Sequence, residues 1–285
     1  MSKETVKNSE EVKPKTDLEE FKEMENVLPV YDLEGKVIEK TEIPKVFFTP
    51  VRPDLVKRVV LAIQSLRFQP QGRDPLAGKR TTAESRGVGL GIARIPRVKG
   101  AGTPRAGQGG FAPGTVGGRL AHPPTPEKKI VKKINKKEKR LALKSALAAV
   151  AKKEFVLKRG HRVEDVFRLP IVVEDSIEEV KTTGKLRETL KALKLDKELE
   201  RIENGRKIRS GKGKRRGRRI KQRKGPLLIV NEDRGIGKAA SNIPGIDVST
   251  IKSLNVELLA PGTHVGRLTL WSESALKTLE EMFPS

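Results

Sequence analysis

The chain has 285 residues, and its 60 Lys and Arg against 36 Asp and Glu give a formal charge of +24. The lack of Cys excludes disulfide scaffolds, thiolate zinc sites and cysteine catalysis. Three scattered histidines, His122, His161 and His264, make no metal site, so neither metal nor cofactor is expected. No apolar run reaches the 18 residues of a membrane span, and the polar start MSKETVKNSEEVKPK lacks a signal core. A cytoplasmic protein without membrane contact is therefore expected. So large a charge repels itself unless a polyanion accepts it, and nucleic acid leads. An anionic membrane surface would need a basic amphipathic helix with bulky anchors. Eight Phe, one Trp and one Tyr are too few for stacking platforms, which favours phosphate contact and fit to a folded shape.

In chain order, residues 1–26 hold eight acids and five Lys and read as an acidic, disordered leader. Segments 28–33 (LPVYDL) and 36–41 (KVIEKT) flank Glu34-Gly35, a hairpin signal. Thr49-Pro50 offers a cap and a first-turn proline for a helix running through Phe68, with Val51, Leu55, Val59, Ala62, Ile63 and Leu66 at helical spacing. Residues 70–126 keep no period. Residues 136–155 read as one helix whose LALKSALAAVA stretch is buried and close-packed. A strand follows at 169–174 (LPIVVE), then helices marked by Leu186, Leu190, Leu193, Leu199 and Ile202 that end near Asn204-Gly205. The last third predicts strands at 226–230, 246–251 and 268–271. Short helices at 238–241 and 255–259 alternate with them, and a final helix at 273–282 is capped by Ser272. The alternation predicts an α/β fold: a three-layer α/β/α body on a mainly parallel sheet, 27–285 as one domain, with a long extended basic loop inserted after the first helix.

The excess charge is concentrated. Residues 73–119 have nine Lys and Arg, two acids and 12 of the 26 Gly; residues 128–153 have 11 basic residues and one acid; residues 207–224 have 11 and none. A structureless loop of more than about 15 residues is unusual inside a compact domain. This one alternates Gly and Arg with Val88, Leu90, Ile92, Ile95, Val98 and Phe111 and returns to a helix. Gly allows close backbone approach and Arg bidentate phosphate contact. The pattern predicts an arm, mobile alone, that orders when threaded into folded RNA. Half its length at ~3.3 Å per residue reaches roughly 75 Å, enough to enter a partner's interior.

Three glycine motifs imitate nucleotide sites. Residues 72–79 (GRDPLAGK) have five residues between the glycines, a Pro among them, and Arg80 where Ser or Thr would hold magnesium. GVGLG at 87–91 follows no strand. Residues 234–238 (RGIGK) sit between a strand and a helix, yet a tight turn explains them better than an anion site. No acid/base pair stands out. Glu174-Asp175 and Glu178-Glu179 read as solvated faces, so no enzyme is expected.

Longer motifs are more specific. RVKGAGTPRAGQGGFAPGTVGGRLAHPP (97–124), NKKEKRLALKSALAAVA (135–151), KRGHR (158–162), GKGKRRGRR (211–219), KGPLLIV (224–230) and LAPGTHVGRLTLW (259–271), in this order, resemble the archaeal and eukaryotic form of the fourth-protein family of the large ribosomal subunit. The resemblance spans roughly 27–285; the chain's end without the long extension of eukaryotic members points to an archaeal protein, and the leader is a departure without a role. The resemblance implies a structural, non-catalytic, cytoplasmic protein on large-subunit ribosomal RNA, beside neighbouring ribosomal proteins. It also implies that the loop 70–126 runs inward and its tip lines the nascent-peptide exit tunnel, where it meets the nascent peptide. By motif the tip is Arg97, Val98, Lys99, Gly100, Ala101, Gly102, Thr103, Pro104, Arg105, Ala106 and Gly107. The expected phosphate contacts along the arm are Lys79, Arg80, Arg86, Arg94, Arg97, Lys99, Arg105, Arg119 and His122.

Lys136, Lys137, Lys139 and Arg140 open a helix, where cations oppose the macrodipole by ~0.3–1 kcal/mol each unless an outside anion offsets them. Lys212, Lys214, Arg215, Arg216, Arg218 and Arg219 form the densest cluster, within the basic segment 206–225, and like-charge repulsion predicts disorder without RNA. A homo-oligomer is not expected. The competing readings are a free nucleic-acid chaperone or chromatin-like protein, from charge alone, and a nucleotide-using enzyme, from residues 235–238.

Overall fold

The computed structural model describes residues 26–283; the acidic leader, apart from Asn26, lies outside them. They divide into two compact units, 64–133 and the remainder, which forms the α/β body.

The body is built on six strands: β1 (Val27–Tyr31), β2 (Val37–Glu42), β5 (Ile171–Val173), β8 (Leu227–Val230), β9 (Asp247–Thr250) and β10 (Thr269–Ser272). Two short pairs elsewhere supply β3 (Ala83–Glu84) with β4 (Arg97–Val98), and β6 (Lys207–Ile208) with β7 (Ile220–Lys221). The sheet order is β2-β1-β5-β10-β8-β9. Only β1–β2 is antiparallel. Their turn is closed by Asp32 and Gly35, and Gly35 is required: φ is +79°, and a Cβ there would stand 2.5 Å from the Ala192 carbonyl oxygen.

Strand side chains alternate between faces, so these apolar runs supply two cores. Leu28, Val30, Val172, Leu227, Ile229 and Trp271 pack on one side with α1 (Pro53–Ser65), α2 (Lys136–Ala151), α7 (Val256–Leu259) and α8 (Glu273–Met282). Ile171, Val173, Leu228, Val230 and Leu270 face α3 (Lys153–Arg159), α4 (Thr183–Ala192), α5 (Asp196–Asn204) and α6 (Ile236–Ser241). Three layers follow. The run of small residues in α2 lets it approach the 3-10 turn Lys45–Phe48, whose Phe47 meets Trp271 edge to face at 5.9 Å. Trp271 is fully buried, its indole N–H donating to Thr269 Oγ1 at 2.9 Å.

Several boundaries move from expectation for physical reasons. Helix α1 starts at Pro53, not beside Thr49-Pro50. A proline lacks an N–H and fits only the first turn, and starting at residue 50 would put Pro53 where an amide must donate. The helix ends at Ser65, short of Phe68. The expected helix 136–155 breaks at Lys152, which is extended at φ −90°, ψ 112° and leaves α3 free to turn toward the opposite face. Two starts follow their caps closely: Ser272 Oγ accepts from the Ala275 amide, and Asn255 Oδ1 from the Leu258 amide.

Candidate RNA interface

The unit 64–133 is organised by backbone hydrogen bonds. Strands β3 and β4 pair antiparallel, and the far edge of β4 is closed by Gly107 donating to Val98 O, Val98 to Gln108 O and Gly110 to Pro96 O. The stretch expected to carry no structure of its own therefore has a small ladder. No apolar side chain of this unit is buried; Val88, Leu90, Ile92 and Val116 are exposed, Val116 at 86%.

Most of the expected phosphate contacts here stand in the open: Lys79, Arg80, Arg86, Arg94, Lys99, Arg105 and His122 are exposed. Some already have partners. Arg80 pairs with Asp74 at 3.0 Å and Lys99 with Glu84. Arg105 donates to Val116 O at 2.9 Å, and Arg119 lies over the Phe111 ring at 6.0 Å. Arg97 is half-buried and donates to Gly107 O at 2.8 Å, clamping the two ends of the tip together. Within the tip Lys99 to Arg105 are exposed, whereas Val98, Ala106 and Gly107 are half-buried. Gly100, Gly102 and Gly107 have φ between +72° and +100° with open space where a Cβ would stand, so conformation and not crowding selects glycine.

Two further cationic places lie in the body. At the start of α2, Lys136, Lys137 and Lys139 are exposed, and Asn135 makes no side-chain cap. Arg140 differs: it donates to Met282 O at 3.1 Å and stacks on Phe283. Lys212, Lys214, Arg215, Arg216, Arg218 and Arg219 lie between β6 and β7. The disorder expected of this cluster is corrected: it forms a hairpin carrying a 3-10 turn, Lys212–Arg216. Backbone bonds that side-chain repulsion does not reach hold it, including Arg209 N–H to Arg219 O and Arg218 N–H to Gly213 O. Lys212, Lys214, Arg215, Arg216, Arg218 and Arg219 splay outward, all of them exposed.

The enzyme-like places are filled from within. Asp233 Oδ1 accepts from the amides of Gly235 and Gly237 at 3.0 Å each, so a side chain occupies the one spot where RGIGK could hold an anion. Open α/β sheets take ligands at strand carboxyl ends, where the chain order switches. At that end Glu178 accepts from Ser272 Oγ at 2.8 Å and from the amides of Asn231 and Glu232 at 2.7 and 3.3 Å. The expectation that Glu178 is solvated is corrected: it is 3% exposed and ties β10 to the loop after β8. Asp175 stays exposed as expected and accepts from the Ser274 amide at the start of α8.

Sequence reasoning missed a buried polar group. His161 Nδ1 lies 2.7 Å from Glu198 Oε1, and Glu198 also accepts from Arg201 and from the Arg162 amide. Burial pushes the His161 pKa down despite Glu198, so the ring is neutral, its Nδ1–H directed at the carboxylate. For Glu198 burial acts upward, but the hydrogen bonds from Arg201 and His161 outweigh it and hold the carboxyl below its ordinary value. Burial and the neighbouring Arg267 and Arg201 bring Arg159 down to about 10. Arg267 is itself buried and bonded to Asp247 at 2.6 Å. The one signal for this group was Glu198 beside Leu199 on the apolar side of α5, three residues before Arg201.

Fold and surface define a class: an α/β scaffold that presents exposed cations on an insert, a helix start and a hairpin. Residues 41–282 match the family described as Ribosomal protein L4/L1 family. The chain is 49% identical over 254 residues to the large ribosomal subunit protein uL4 of Methanosphaera stadtmanae, covering 89% of this chain and 96% of that one. It is 50% identical to the uL4 of Methanopyrus kandleri, covering 89% and 97%, and 49% identical to that of Sulfurisphaera tokodaii, covering 89% and 94%. The chain belongs to the ribosomal protein L4/L1 family, which is structural and non-enzymatic.

Proposed function

We propose that this protein is a cytoplasmic constituent of the large ribosomal subunit that binds ribosomal RNA through the cations of 73–119, 136–140 and 207–224. On this reading 27–285 acts as one domain and as a single copy, with 70–126 its RNA-penetrating loop. The tip 97–107 forms part of the wall of the nascent-peptide exit tunnel, beside a neighbouring ribosomal protein and the nascent peptide. The observation that carries the reading is the unit 64–133: exposed cations and exposed apolar side chains together, with no apolar core of its own. A surface of that kind is suited to burial in a folded polyanion.

Sucrose-gradient fractionation of cell extract tests it. The protein is expected with large subunits, leaving them only at high salt, because phosphate contacts weaken as counterions compete. Persistent absence from that fraction sinks the proposal. Purified chain binding duplex DNA as tightly as large-subunit RNA would favour the free nucleic-acid chaperone or chromatin-like reading instead.

A further inference from the structure

Two stretches without a role so far, residues 158–161 of KRGHR and residues 263–265 of LAPGTHVGRLTLW, meet Lys224 of KGPLLIV in the body. They border a cleft of about 640 Å³ whose charged side chains are Lys158, Arg159, Arg201, Arg223 and Lys224, with no carboxylate among its lining residues. The carboxylates behind it are already engaged, Glu198 by Arg201 and His161, Asp247 by Lys224 and Arg267. Among the described residues Arg159 donates to the carbonyls of His264 and Pro261 and pairs with no carboxylate. The second observation is independent of the cations. His161 lines the cleft, its side chain is 1% exposed, and its Nε2 is buried with no hydrogen-bond partner. Since Nδ1 is given to Glu198, Nε2 of the neutral ring carries a lone pair that lacks a donor. A buried polar atom left unsatisfied is costly, so a donor brought to it is favoured.

The cleft thus offers several cations to an oxyanion and one acceptor to a hydroxyl. We propose that it seats a ribose-phosphate unit of the RNA backbone, the phosphate on Lys158, Arg159, Arg223 and Lys224, the 2′-hydroxyl donating to His161 Nε2. DNA and free phosphate meet the first requirement and fail the second. The inference rests on the RNA-binding reading and assigns that reading a site in the body, away from the insert's sequence.

The test uses the full chain. Lys158 and Arg223 are exposed, so Lys158→Ala with Arg223→Ala leaves the core intact; Lys185→Ala with Lys191→Ala on α4 is the control. Against a large-subunit RNA transcript, the cleft pair is expected to lower affinity about tenfold and the slope of log affinity against log salt by roughly one per contact, the control leaving both unchanged. Histidine 15N NMR, with His161→Gln for assignment among the three rings, reads the acceptor. The hexamer rA6 is expected to move His161 Nε2, while dA6 and inorganic phosphate leave it in place. No response to rA6, or an equal response to dA6 or phosphate, overturns the ribose-phosphate assignment, as do equal losses in the two variant pairs. Failure of the wild-type chain to bind the transcript at all would instead sink the RNA-binding reading itself.

Discussion

The α/β body and the unit 64–133 are held together by different physics. In the body, apolar residues fill both sides of a sheet, from Leu28 and Trp271 on one face to Leu190 and Ile243 on the other. In the insert no apolar side chain is buried, and order comes from main-chain pairing, positive-φ glycines and clamps such as Arg97 on Gly107. Burial on the scale of the body is what offsets chain entropy. A segment without it is expected to be deletable without unfolding the body.

The largest expected effect sharpens the contrast from the body's side. Trp271→Ala removes the indole that joins the sheet to Phe47, and is expected to cost about 3–5 kcal/mol, read as a lower urea midpoint with an unchanged slope. An intermediate effect comes from Glu198. Its carboxyl is held below the ordinary 4.5, so its contribution is present above pH 4.5 and lost as pH falls through the lower folded value. His161, pushed below 6.5, adds in the same direction, since the unfolded chain takes up its proton first. Thermal melts from pH 7 to 3 should show a falling Tm that Glu198→Gln flattens below pH 4.5, at a loss of roughly 1–3 kcal/mol at neutral pH. A parallel curve for the variant would refute this account of the network. The smallest effect belongs to the insert. Deleting 97–107 and closing the gap with a short Gly-Ser linker should change the body's unfolding free energy by no more than about 0.5 kcal/mol. A loss of several kcal/mol would erase the distinction between the two regions.

Sequence reasoning works where a single local rule is decisive. The Glu34-Gly35 turn between two apolar runs predicted the β1–β2 hairpin, and Ser272 caps α8 because its oxygen reaches an amide three residues on. It fails where two rules compete. Thr49-Pro50 reads as a helix start, but it would put Pro53 at the fourth helical position, where an amide must donate, and starting at Pro53 avoids that. It fails again where the deciding partner is distant: Glu178 looks solvated beside Glu179 until Ser272, 94 residues on, is brought to it. Charge counting located the cations of 207–224 but not their hairpin, because repulsion acts on side chains while the pairing of Lys207 with Lys221 belongs to the backbone. Glu198 and Arg201 share α5, but His161 reaches them from 37 residues away, so no spacing rule could complete the group.

One carboxylate in the body has a wider consequence. By gripping Ser272 and the amides after β8, Glu178 closes the sheet end through which α/β proteins commonly meet small molecules. Ser272 is also the cap of α8, so a single hydroxyl serves as hinge pin for a strand, a helix and the loop opposite. The architecture has exchanged a doorway for a cornerstone. Strand, helix and loop at this end are thereby tied to one another through a few hydrogen bonds on one carboxylate and one hydroxyl.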